Sequence, residues 1–177
     1  MDVWMISRQE LKKDLLDIYA ALDDIQFKYD WIISDHDIWY SADCPKDVKS
    51  RWQWTGLLIS GEKLAAHCAA GYVHFCIGGI LSAVPMGTKL EQVWNYTPGW
   101  EEDFENPDYQ FQTPFTELEI VCYDGYAWLI ICKPDLSAQI RACLHRRCRR
   151  RNGIRPTRNG GTISREIGFL LSSNHCA

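Results

Sequence analysis

Residues 117–133 read ELEIVCYDGYAWLIICK. Two β-rich runs, 117–123 and 126–133, flank Asp124-Gly125. Asp-Gly supplies the positive φ of a tight hairpin turn, so the stretch predicts two antiparallel strands. A two-residue turn would pair Tyr123 with Tyr126 and Cys122 with Ala127. Cys132 then lies further down the ladder, and a disulfide to Cys122 is not implied. Pro134-Asp135 opens a helix, with Leu136, Ile140 and Leu144 on one face.

Upstream, 72–84 is apolar and β-rich, and Gly78-Gly79 predicts a bulge or a close backbone approach. Ser60-Gly61-Glu62-Lys63 opens a short helix to about Ala70, which Gly71 ends through a left-handed cap. The segment 52–60 (WQWTGLLIS) reads as a strand. So do 28–34 (KYDWIIS) and 37–41 (DIWYS), with Asp35-His36 as the tip between them. Near the N-terminus, Ser7 and Glu10 stand three apart as in a capping box, and Ile6 and Leu11 as in a hydrophobic staple. Leu11, Leu15, Ile18 and Leu22 then share a helical face, and Asp23-Asp24 mark its end. No internal repeat is present. The expected fold is a single α+β domain over residues 1–143. It has a mixed or antiparallel sheet and two to three helices, and a basic tail follows over 144–177.

The charge distribution supports that division. Residues 1–140 hold 10 Lys+Arg against 22 Asp+Glu, whereas 141–177 hold 9 Arg against one Glu. The tail's basic residues are all Arg, and Phe169 is its one aromatic residue. Three readings stay open: an arm that contacts phosphates, a loosely ordered basic tail, or a non-native end such as a frame change would leave. Without interleaved aromatics, stacking on single strands is unsupported. A basic tail could also fold back on the acidic body at low salt.

The chain is 46% apolar and 24% charged, which excludes a wholly disordered chain or a fibre. The first residues are polar and charged, so no signal peptide is expected. A cytosolic chain with free thiols is the expectation. The segment 64–88 lacks Asp, Glu, Lys and Arg, but its four glycines favour a helix, a break and a buried strand over a membrane span.

The motifs for chemistry are thin. His67, Cys68, His74 and Cys76 lie within ten residues of one another, but without paired ligand spacing, so no metal and no cofactor are expected. Cys44, Cys68, Cys76, Cys122 and Cys132 are all possible nucleophiles, and none stands out. Acidic pairs such as Asp23-Asp24 show no placement across a substrate. Phosphate-loop, dinucleotide and nucleophile-elbow motifs are missing from the sequence. No catalytic residue is assigned, although a small Cys/His enzyme and an Arg-tailed nucleic-acid binder remain alternatives.

The segment 94–111 (WNYTPGWEEDFENPDYQF) mixes six aromatics with five carboxylates. Aromatic anchors among acids suit a basic protein partner, with Trp100 as anchor and Glu101, Glu102, Asp103, Glu105 and Asp108 steering. The competing reading is a loop whose aromatics cover the core. Asp35 and Asp37, beside Trp39, form a second candidate surface.

Trp31, Trp39-Tyr40, Trp52, the strand from Tyr72, and Tyr123-Asp124-Gly125 through Cys132-Lys133 carry a resemblance over residues 8–140. The profile is similar to the small, acidic, Trp-rich immunity proteins that bacteria hold against secreted or contact-delivered toxins. The resemblance implies a non-enzymatic cytoplasmic protein that binds and blocks one cognate toxin, often a nuclease. Apart from the resemblance, a nucleic-acid partner is expected only through the tail, and no membrane partner is expected.

Overall fold

A computed structural model describes residues 2–8, 11, 14–34, 36–53, 57–93, 109–111, 113–152 and 168–169. The strands are β1 (Asp2–Ser7), β2 (Tyr29–Ser34), β3 (Ile38–Tyr40), β4 (Leu57–Ser60), β5 (Val73–Phe75), β6 (Gly79–Pro85), β7 (Leu118–Tyr123), β8 (Ala127–Cys132) and β9 (Gly168–Phe169). The helices are α1 (Leu15–Ala21), α2 (Lys46–Trp52), α3 (Gly61–Ala69), α4 (Leu90–Val93) and α5 (Pro134–Asn152). A 3-10 turn spans Ile25–Lys28. The fold is α+β, with five helices among the described residues where two to three were expected.

The main sheet runs β4-β2-β6-β7-β8-β1-β9. Every neighbouring pair is antiparallel except β9, which lies parallel to β1. β3 and β5 form a separate antiparallel ribbon. Alternation sorts the side chains. Trp31, Ile33, Leu81, Leu118, Ile120, Trp128 and Ile130 face the helices and join one large core with α1, α2, α3 and α5. On the other face, Ile80, Val121, Leu129 and Ile131 pack with Tyr109 and Phe111, and Ile32 and Val84 with Val93. Central strands buried on both sides explain the continuous apolar runs in β6 and β8.

Several local expectations need correction. Residues 2–7 form β1, so Ser7 ends a strand and does not open α1, which begins after Asp14, whose φ is 50°. β1 pairs all six residues with β8, and that ladder outweighs a local capping signal. β2 and β3 do not form a hairpin: β2 pairs with β4 and β6, and β3 with β5. Trp52 ends α2, so the strand expected over 52–60 shortens to β4. Pro45 opens α2 and its carbonyl accepts from Lys49 N–H at 2.9 Å.

The predicted hairpin forms, but Tyr123 pairs with Ala127 and Cys122 with Trp128. Asp124 and Gly125 do take positive φ, 47° and 69°. Tyr126 N–H does donate to Tyr123 O at 3.2 Å and closes the two-residue turn, but the ladder resumes at Ala127, so Tyr126 is an extra residue whose carbonyl accepts from Arg8 N–H at 2.9 Å. Cys122 and Cys132 are free thiols.

The α3 reading holds. Ser60 Oγ accepts from Lys63 N–H, and Gly71 stands at φ 68° with the paired backbone bonds of a left-handed cap. Gly79 is the close approach the sequence announces, since a Cβ there would sit 2.6 Å from the Phe75 ring. Among the described residues, no helix is long and apolar enough to cross a membrane.

The boundary expected at residue 143 falls inside α5, and Leu144 is buried in the core beside Ile140. Arg146 pairs with Asp23, so the start of the basic segment does fold back on an acidic residue. A chain ending at Cys143 loses Leu144, whose removal costs about 2–5 kcal/mol. A chain ending at Asn152 keeps it. Thermal denaturation should place the shorter chain lower, by about 2–4 °C for each kcal/mol. Equal melting temperatures would mean that Leu144 contributes nothing to the core.

Candidate functional site

The most exposed large aromatic among the described residues is Trp39, at 74%. It lies at the middle of β3, directly opposite His74 of β5, which is also exposed. Their neighbours Val73 and Phe75 turn the other way and are buried. The ribbon is therefore fixed by one face and presents Trp39 on the other.

This ribbon belongs to the rim of the sheet where β1, β2 and β7 end. Asp37 N–H donates to Gly78 O and Cys76 N–H to Asp37 O, at 3.2 and 2.9 Å. Gly125 N–H donates to Ile77 O at 2.9 Å, joining the hairpin tip to the same loop. Ile77 and Tyr126 are 56% and 50% exposed along this rim, and Asp37 and Asp124 lie in it as exposed carboxylates. Trp39, Ile77 and Tyr126 thus share a rim with acids.

Arg8 fixes that rim. Its guanidinium donates to Asp14 Oδ1 and Oδ2 at 3.1 and 2.6 Å, and to the carbonyls of Phe75 and Cys76 at 2.7 Å each. A longer bond of 3.3 Å reaches Gly125 O. Trp128 Nε1 donates to the same Asp14 Oδ1 at 2.7 Å. The planar fork satisfies carbonyls at and just beyond the strand ends.

Of the residues expected at the interface, Asp37 alone is described, and it is exposed on this rim. Asp35, Trp100, Glu101, Glu102, Asp103, Glu105 and Asp108 lie outside the described residues. Tyr109 and Phe111, the last aromatics of that acidic segment, pack against the sheet, as the core-covering reading expects. Tyr109 OH donates to Glu119 Oε2, and Ser82 Oγ donates to Oε1 at 2.8 Å. Glu119 is fully buried, and sequence reasoning missed it. The available signal was one carboxylate in the otherwise apolar run LEIVCY.

A cleft of about 440 Å³ opens between α2, β4 and α3. His67 lines it, and its Nδ1 accepts from Trp52 Nε1–H at 3.0 Å. Because an indole N–H only donates, the neutral ring carries its proton on Nε2. Burial, followed by the Arg51 charge, lowers the His67 pKa below 6.5. Burial pushes the adjacent Cys68 thiol up to about 12, with Asp14 adding to the shift. Cys68 therefore lacks the thiolate character that a nucleophile needs. No group of three or more His, Cys, Asp or Glu that could hold a metal occurs among the described residues.

The chain matches no family model, no curated protein and no solved structure.

Two measurements check this geometry. Arg8→Lys keeps the charge but loses the fork, leaving carbonyls unpaired; it should cost about 2–3 kcal/mol by chemical denaturation. An unchanged midpoint would remove Arg8 as the organiser of the rim. For His67, protonation of Nδ1 must break the Trp52 bond, so Trp52→Phe should raise its pKa toward 6.5. With the folded pKa lowered, the stability from neutral His67 is full above about 6.5. It is lost as pH falls from that value through the folded pKa. An NMR titration of the ring that shows no upward shift in the variant would break this assignment.

Proposed function

We propose that this protein is a binding protein of the toxin-immunity kind, and that it docks a basic protein partner on the Trp39 rim. The observation that carries the reading is Trp39 itself. An indole held on a short ribbon, three-quarters exposed beside Asp37, adds little to the fold and suits a binding anchor. Trp is enriched among interface residues that dominate affinity. Ile77 and Tyr126 extend the apolar area along the rim, and Asp37 and Asp124 supply negative charge.

The charge of the body supports a basic partner. Residues 1–140 carry 22 Asp+Glu against 10 Lys+Arg, a field that speeds encounter with a cationic surface. A toxin that acts on nucleic acid has a basic substrate groove. An acidic rim with an aromatic centre would occlude it by taking the place of phosphate. Glu101, Glu102, Asp103, Glu105 and Asp108 add to the same field in this proposal.

The test pairs the full chain with the toxin-domain protein encoded by an adjoining gene. Co-expression should protect cells, and binding is followed at low and high salt. Trp39→Ala should weaken binding about 30-fold, from a loss near 2 kcal/mol, mainly through faster dissociation. Asp37→Lys should slow association at low salt and much less at high salt. Parent-like binding by both variants removes this rim as the interface. Lack of protection by the parent chain removes the toxin-blocking reading.

A further inference from the structure

β4 is the outermost strand on its side of the main sheet, and among the described residues it pairs with β2 alone. All four of its residues, Leu57, Leu58, Ile59 and Ser60, line the 440 Å³ cleft. Successive side chains of a strand point to opposite faces, so a cleft touching all four meets the strand edge-on. The backbone donors and acceptors turned away from β2 therefore face the cleft.

Exposed edges are usually blunted by a charge, a proline or a covering element. The strand LLIS has no charge and no proline. Val48 and Trp52 of α2 give the cleft an apolar wall. Asp30, Asp47, Arg51 and Lys63 line it too, and among the described residues no ion pair joins any of them. Asp30 Oδ2 already accepts from Gly87 N–H at 2.7 Å, so Asp47, Arg51 and Lys63 are the charges left for an occupant.

We propose that this cleft receives an extended segment of a partner polypeptide, which adds as a strand to β4. The segment has alternating apolar residues and carries side chains of both charges. Main-chain bonds to β4 would supply affinity, and alternate side chains would supply choice. The four-residue edge is about 13 Å long, enough for a short segment. A second copy is disfavoured as occupant because α2 stands beside the edge. Joining two β4 edges would bring a second α2 into the same space. This site is separate from the Trp39 rim and does not rest on that reading.

The probe is the peptide acetyl-Lys-Val-Glu-Val-Lys-Val-Glu-amide, titrated into the isotopically labelled full chain. The expected result is a Kd below about 1 mM, with slowed amide exchange in β4. The same peptide N-methylated at every internal residue keeps its side chains but loses its donors, and should bind at least about tenfold more weakly. Trp39→Ala should bind the parent peptide unchanged, which separates this site from the rim. The proposal is overturned by no binding, by binding without β4 protection, or by equal affinity for the N-methylated peptide. A concentration-dependent dimer that protects β4 without peptide would overturn it in favour of a second copy.

Discussion

Arg8 directs its fork of donors into one small volume, where Asp14 takes two bonds and the carbonyls of Phe75, Cys76 and Gly125 take the others. These groups come from the end of β1, the start of α1, the loop after β5 and the hairpin tip. The Cys76 and Gly125 carbonyls lie past strand ends, and the Phe75 carbonyl belongs to the last residue of β5. A single guanidinium satisfies them together, which neither water nor Lys could do with the same geometry. Asp14 completes the arrangement. Without it a partly buried cation would stand uncompensated, and removing one partner of such a pair is strongly destabilising. The Trp128 indole shares the same carboxylate oxygen and ties the pair to the core.

That clamp matters because the sheet is covered on both faces. The helices cover one side, and Tyr109, Phe111 and Val93 pack on the other. Glu119 on the second face would be costly if unpaired, but both of its oxygens accept from hydroxyls, those of Ser82 and Tyr109. The Tyr109 bond attaches the end of the acidic aromatic segment to the middle of the sheet. A buried polar anchor of this kind fixes where that chain crosses, which apolar contact alone does less well.

The central strands were legible because apolar runs, Gly-Gly and Asp-Gly are strong local signals. The exceptions have identifiable causes. The residues around β1 carry a convincing cap signal in Ser7 and Glu10, and only pairing with β8 shows that 2–7 is a strand. In the hairpin the ladder resumes one residue later than the turn alone implies, and the Tyr126 carbonyl accepts from Arg8 N–H, continuing the β1–β8 pairing. β2 and β3 looked like a hairpin because they are adjacent in sequence, yet β3 leaves the sheet to pair with β5. Trp52 sits in an aromatic run that imitates a strand, while the Pro45 start of α2 gives a weaker signal. For the site, Asp37 and Trp39 could be named as neighbours. Which of eight Trp would stay exposed depends on long-range pairing, and so did the clustering of Ile77 and Tyr126 beside them.

Buried ring contacts connect the ribbon that carries Trp39 to Trp52 of the β4 cleft. The Phe75 ring packs edge-on against Trp52 on one side and Trp128 on the other, with centroids 6.1 and 5.6 Å apart. Trp52 bonds His67 in the cleft, and Trp128 bonds Asp14 beneath the rim. Phe75 is also the residue paired with Ile38, next to Trp39. Its position is enforced from above as well, since the bare backbone of Gly79 is in contact with its ring. Three large rings locked in this way leave the ribbon carrying Trp39 little freedom to rearrange. A pre-formed surface would suit the docking proposed for Trp39, since less conformational entropy would be lost on binding. Among the described residues Trp31, Trp52 and Trp128 are completely buried, and Trp39 stands outside on the ribbon that this packing holds.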